Sequence, residues 1–170
     1  MLKKILLITA FASAACFGAN AQKFGVIFSN QVISVMPETK AAQEALDAEQ
    51  KKLEGELAPM MEQLTKKEKE VREILNDNTK SDALKQVSFE EYQAMGQKVQ
   101  NFRQAAAESI QKKQQELMEP VLNKVKDAVN AVSAADGLTF VQEAEQAGIL
   151  YWGGNATDIT AKVKTKLGLK

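Results

Sequence analysis

Apolar and polar positions alternate in different rhythms along this chain. From Glu38 to about Leu75, the residues Leu46, Leu53, Met60, Lys67 and Ile74 recur every seven positions, with Gln50, Leu57, Leu64 and Val71 interleaved. That is the a/d spacing of a helix burying one narrow seam, with one lysine in the a row and one glutamine in the d row. Such a helix is about 57 Å long at 1.5 Å per residue. The stretch Asn76-Asp77-Asn78-Thr79-Lys80-Ser81-Asp82 then gathers turn formers. Ser88, with Glu91 three residues later, has the capping-box form that opens a returning helix. Its stripe runs through Tyr92, Met95, Val99, Phe102, Ala106, Ile110, Leu117, Val121, Val125, Ala128 and Val132, and stops before Gly137. Two amphipathic helices joined by a turn predict an antiparallel hairpin. Pro59 and Pro120 fall inside the stripes and are expected to bend the arms without ending them, since the pattern continues on both sides.

The two ends read differently. Lys23-Phe24-Gly25-Val26-Ile27-Phe28 is short, apolar and β-prone. Ser29 or Asn30 can cap a brief helix through Met36, which Pro37 ends. Leu138-Thr139-Phe140-Val141 and Ile149-Leu150-Tyr151-Trp152 predict two further strands, separated by the polar stretch 142–148. Gly153-Gly154 turns the chain, and Asp158 or Asn155 caps a last helix carrying Ile159, Val163 and Leu167, with Gly168 just past its end. Glycine follows the same division: between Ser29 and Asp136 only Gly55 and Gly96 occur, a scarcity that favours long helix. The expected fold class is α+β and mostly helical: a long antiparallel helical hairpin, or coiled-coil arm, over 38–136 with its tip near 76–88. A small α/β body is formed by 22–37 and 137–170.

Residues 1–21 stand apart from this organisation. Lys3 and Lys4 precede an apolar run from Ile5 to Phe17, and Ala19-Asn20-Ala21 supplies a small-residue cleavage pattern. Together they read as a secretory signal peptide cleaved after Ala21, so the exported chain begins at Gln22. Two alternatives stay open. One is an N-terminal anchor; the other is a lipoprotein at Cys16, whose Ser13-Ala14-Ala15 context has serine where a large aliphatic is usual. Asn155-Ala156-Thr157 fits the glycosylation acceptor pattern, which short sequences match often by chance.

Composition narrows the chemistry. The full chain holds 22 basic and 22 acidic side chains, no histidine and one cysteine. Cleavage removes Lys3, Lys4 and Cys16, leaving twenty basic against twenty-two acidic groups, or −2, and no thiol for a disulfide. Without histidine there is no Ser-His-Asp or Cys-His catalytic unit and no Cys/His zinc site. A balanced charge gives no basic footprint for nucleic acid. There is no phosphate-cradling glycine loop or dinucleotide motif. Pairs such as Glu90-Glu91 or Glu143 with Glu145 sit among many other acids. The expectation is therefore no enzyme, no catalytic residue, no metal and no cofactor. No segment after Ala21 approaches 18 consecutive apolar residues, so no integral membrane segment is expected after cleavage.

The order of elements resembles the Skp/OmpH family of periplasmic chaperones. Lys23-Phe24-Gly25-Val26-Ile27, the helix opening Pro37–Ala45, Gly137-Leu138-Thr139-Phe140-Val141, Ile149-Leu150-Tyr151-Trp152 and Thr157-Asp158-Ile159-Thr160 carry the likeness. The resemblance implies a periplasmic homotrimer in which the strands of three subunits form the body and three arms surround a cavity for unfolded outer-membrane proteins. Short strands cannot bury a stable core alone. Pooling them places Phe24, Val26, Phe28, Phe140, Tyr151 and Trp152 in a shared trimer body. In the arms, Met60, Met61, Phe89, Tyr92, Met95 and Phe102 are the candidate client-binding residues, because a two-helix seam cannot hide them all and methionine adapts to many partner shapes. The implied activity is an ATP-independent holdase. The alternative is a structural or adaptor coiled-coil protein of the envelope with one defined partner. This chain departs from the strongly basic arms of some members: residues 61–113 carry ten basic and nine acidic groups. No lipopolysaccharide-binding residues are therefore assigned. Glu62, Lys66, Lys67, Lys69 and their neighbours are read as a solvated, paired face.

Overall fold

The computed structural model describes residues 22–145, 151–154 and 156–169. The signal-peptide segment, the glycosylation asparagine at 155, and Ile149 and Leu150 of the expected strand lie outside them. In chain order the elements are β1 (Phe24–Ile27), α1 (Ser29–Ile33), α2 (Pro37–Asn76), α3 (Asp82–Asp136), β2 (Phe140–Glu143), β3 (Ala156–Asp158) and α4 (Thr160–Lys166). They group into two compact units, one spanning 36–123 and the other comprising the chain up to Val35 and from Lys124 onward.

In the strand-bearing unit a three-stranded sheet has the order β2-β1-β3, with β1 parallel to both neighbours. Phe24 lies beside Phe140 and Ala156, and Val26 beside Gln142 and Asp158. Val26 and Ile27 point to opposite faces, and both are buried, so the centre of the sheet is covered on each side. Val32 of α1, Val125, Ala128 and Val132 of α3, Ala144, and Ile159 and Val163 around α4 complete this core. α1 and α4 pack against one another, and the Thr160 hydroxyl accepts the Phe28 N–H at 3.0 Å. Gly25 admits the close approach of a neighbour: a Cβ there would stand 2.8 Å from Leu138 Cδ1 and 3.0 Å from Val141 Cγ2.

Three expectations are corrected here. The last strand is Ala156–Asp158, and Tyr151 and Trp152 lie in irregular chain. Strand formation follows pairing with β1: the ladder runs on to the Ile159 N–H, which donates to the Val26 carbonyl at 2.9 Å. The returning helix starts at Asp82 and not at Ser88, which is buried inside it. Ser81 opens it instead, its hydroxyl accepting the Leu84 N–H at 3.3 Å, and Asp82 adds an acid to the first turn where the helix dipole favours one. Pro37 occupies the first turn of α2, where its missing N–H costs nothing, and so begins a helix as well as following one.

The first helix also differs from expectation: it ends at Ile33 and not at Met36, and Ser29 and Asn30 lie inside it with Phe28 at the cap position. Two glycine-ended boundaries agree with the sequence. Gly137 adopts φ +65° past the end of α3, with Leu138 N–H returning to the Ser133 carbonyl at 2.9 Å. Gly168 repeats that ending after α4 at φ +72°. Ile159, and not Asp158, holds the cap position of α4; Asp158 stands one residue earlier and accepts the Thr160 N–H at 2.8 Å. The start of α1 is held from across the sheet: the Ser29 N–H donates to the Glu143 carboxylate at 3.2 and 3.3 Å, and the Asn30 amide donates to Glu145. Both Pro59 and Pro120 lie inside uninterrupted helices.

Candidate functional site: the seam of the helical arm

Within 36–123, α2 and the first part of α3 run antiparallel. The Lys67 ammonium contacts the Glu91 carboxylate at 2.6 Å, and the Arg103 guanidinium donates to Met61 Sδ at 3.1 Å. Thus rising numbers on one helix meet falling numbers on the other. The seam is only partly closed. Ala42, Val71, Ser88, Val99 and Val121 are buried, whereas Leu46, Leu53, Leu57, Met60, Leu64 and Ile74 remain half-buried. A two-helix contact has no third layer to cover its flanks, so a heptad stripe leaves apolar surface in water.

Two hollows open along this seam. One of about 300 Å³ is lined by Met60 and Met95 over Val99, with Glu91 and Lys98 at its edge. The other, about 430 Å³, lies between Leu53 and Leu57 on α2 and Phe102, Ala106 and Ile110 on α3. It exists because alanines face leucines there and leave the space unfilled. Of the six expected client-binding residues, Met60 and Met95 therefore share one hollow and Phe102 lines the other. Met61 is half-buried against Arg103, and Tyr92 is half-buried. Phe89 stands off the seam and is exposed.

The turn between the helices carries more apolar surface than the sequence reading assigned. Leu75, Leu84 and Val87 are exposed beside Phe89. The signal was available for two of them: Leu75 follows Ile74 and Val87 precedes Ser88, each one residue off the stripe, whereas Leu84 lies four residues before Ser88 and falls on it.

Charge supports the arm at discrete points. Lys67, 16% exposed in the a row, lies 3.3 Å from Glu70 as well as 2.6 Å from Glu91. Its hydrogen bond to Glu91 raises its pKa above that of an ordinary lysine. Glu62 is lowered by its hydrogen bond to Lys66, 2.7 Å away. Asp77, at the end of α2, accepts from the Thr79 hydroxyl at 2.6 Å and the Thr79 N–H at 2.8 Å, and its pKa falls accordingly. Among the described residues no acidic cluster is arranged to hold a metal, and no helix is long and apolar enough to cross a membrane.

The six expected body residues divide. Val26 is buried, and Phe28 meets Trp152 edge-on with ring centroids 6.1 Å apart. Phe24 and Phe140, register neighbours on one face of the sheet, are 39% and 51% exposed, and Tyr151 is 85% exposed. Trp152 keeps 38% of its surface in water despite the Phe28 contact. These aromatics leave apolar surface in water on the single chain.

No curated protein matches the chain. A solved structure does: a candidate outer membrane chaperone (OmpH-like) from Caulobacter crescentus CB15. It superposes with a TM-score of 0.66 at 15% identity, covering 88% of this chain and 86% of that one, a likeness of fold. The family model described as "Outer membrane protein (OmpH-like)" matches residues 23–167, which takes in every strand and helix described above. The chain belongs to the OmpH-like outer membrane protein family.

Proposed function

We propose that this protein is an ATP-independent holdase chaperone of the periplasm that binds unfolded outer-membrane proteins between helical arms and prevents their aggregation. The observation that carries the reading is the incompletely closed seam. A 40-residue helix pairs with its return along a stripe whose leucines and methionines stay half-buried, with two apolar hollows opening from it. Many weak apolar contacts suit clients of differing sequence, and flexible Met60, Met61 and Met95 adapt to them. Paired charges on the outer faces keep such a surface soluble. Family membership supports the same function. Release follows when a client meets a tighter acceptor, so no nucleotide is required.

The working form is a homotrimer. Phe24, Phe140, Tyr151 and Trp152 are the surface that association would cover, and removing large aromatic side chains from water is the main drive for such assembly. Export by the signal peptide, cleaved after Ala21, delivers the chain to its clients.

The test is aggregation suppression by purified protein beginning at Gln22, without nucleotide, using several unrelated unfolded β-barrel proteins. Protection of several is expected. Protection of none, with tight binding to one folded partner, would replace the chaperone reading with that of an envelope adaptor.

A further inference from the structure

A hollow of about 370 Å³ lies where the chain enters the sheet, and Gln22, Lys23, Asp136 and Lys162 line it together. Lys162 contacts Asp136 at 2.6 Å, so two ammonium groups and one carboxylate leave one positive charge in excess. Gln22 is exposed and stands in irregular chain, and no described residue hydrogen-bonds to its side-chain amide. One residue further on the chain is tied down. The Lys23 carbonyl accepts the Thr139 N–H at 2.8 Å, and Phe24 then opens the central strand. Cleavage after Ala21 changes the chemistry here, because it turns the backbone nitrogen of Gln22 from an amide into an α-amine.

We infer that Gln22 is a modification site, at which this amine closes on its own side chain to give pyroglutamate. The amine nitrogen attacks Cδ of the side-chain amide and the Cδ–Nε2 bond breaks. Nε2 leaves as ammonia, taking the proton that the amine gives up. The new N–Cδ bond completes a five-membered lactam, and no oxidant, metal or second substrate enters. Both reacting groups belong to one residue, which supplies the high effective concentration of an intramolecular reaction. Only the uncharged amine attacks; an α-amine titrates at about 7.7–8.0, so roughly a tenth is uncharged at pH 7. The positive excess in the hollow disfavours a further ammonium and raises that fraction. The product carries no charge and no primary amine at its end. An aminopeptidase, which needs that amine, is therefore stopped two residues short of β1. Proteolysis concentrates at chain ends, and loss of Gln22 and Lys23 would remove the carbonyl that holds Thr139. The inference rests on export with cleavage after Ala21, as proposed above, and is independent of what the arms bind.

The test expresses the full chain, residues 1–170, in an exporting bacterial host and purifies the exported product. One portion is read at once and another after long incubation at mildly alkaline pH, where the amine is uncharged. Each is read by intact mass, and by N-terminal sequencing before and after treatment with pyroglutamyl aminopeptidase. The incubated protein should weigh one ammonia less than the chain from Gln22 to Lys170 and should resist sequencing. After the peptidase it should sequence from Lys23. A chain that begins at Gln22 and keeps a free amine in both portions overturns the cyclisation and leaves the cleavage standing. A start at any other residue overturns both. The variant Gln22→Ala should sequence without the peptidase, and a broad-specificity aminopeptidase should shorten it while the incubated parent keeps its mass. Equal shortening of the two proteins would overturn the protective role of the ring.

Discussion

Replacing Gly25 by alanine tests the packing of the strand-bearing unit at its tightest point. The new methyl would lie 2.8 Å from Leu138 Cδ1 and 3.0 Å from Val141 Cγ2, with Val141 Cβ a further neighbour at 3.7 Å. Leu138 can swing its end away, but Val141 is fixed by its register beside Gly25 in the ladder. The site therefore relaxes only in part. Overpacking of this kind costs about 1–3 kcal/mol. Alanine also restricts the unfolded chain, which offsets about 0.4–1 kcal/mol. The net loss should be about 1–2 kcal/mol. In urea, with a slope of about 2–3 kcal/mol per molar, the midpoint should fall by about 0.5 M. It must be read at fixed protein concentration, since association would couple to unfolding. The companion variant Leu138→Ala removes the nearer obstacle. The double variant should then lose less than the two single losses together, by about 1 kcal/mol. An unchanged midpoint for Gly25→Ala, or losses that simply add, would show that the strand has room the geometry denies it.

Three further outcomes are expected. If the proposed body interface is right, Phe140→Ala with Trp152→Ala should yield monomers in sedimentation while retaining helical circular dichroism, because both side chains leave much of their surface in water on the single chain; an intact trimer would move the interface elsewhere. Met61→Ser with Phe89→Ser should weaken client protection and leave the assembled mass unchanged, whereas equal loss of helix content would assign both to the hairpin's own packing. Asp77 has its folded pKa held below the ordinary aspartate value of 3.8, so its contribution to the turn is present above that pH and is lost as pH falls through the lowered value. The Thr79 amide resonance should accordingly move on acidification below about pH 4, and Asp77→Ala should give the acid-like position at pH 7; a flat titration in the parent would contradict the cap.

The arm was legible because its information is local. The seven-residue recurrence from Leu46 to Ile74, the turn formers at 76–82 and the terminal Gly137 each act within a few residues of where they stand. The body was legible only in part. Ala156-Thr157-Asp158 has little strand character of its own and is recruited by β1, 132 residues away in sequence; Ile149-Leu150-Tyr151-Trp152 looked the better strand because propensity ignores partners. The parallel order β2-β1-β3 has no short-range trace either. Glu143 as the acceptor at the start of α1 is a contact across 114 residues, which no local capping rule anticipates. Ser88 misled for the opposite reason: a good local pattern sat inside a helix already started by Ser81. In the arm, the places of Met60, Met95 and Phe102 along the seam followed from the stripe.

The central place of β1 has a consequence for the order of events as the chain is made. Both strands that pair with it are made last, so Phe24–Ile27 emerges first and then waits for more than a hundred residues before either neighbour arrives. The hairpin can form in the meantime from local contacts, which fold fast, and doing so shortens the loop that the sheet must close. The sheet thus acts as a completeness check: a chain cut short before residue 140 can form an arm but leaves β1 without either of its neighbours.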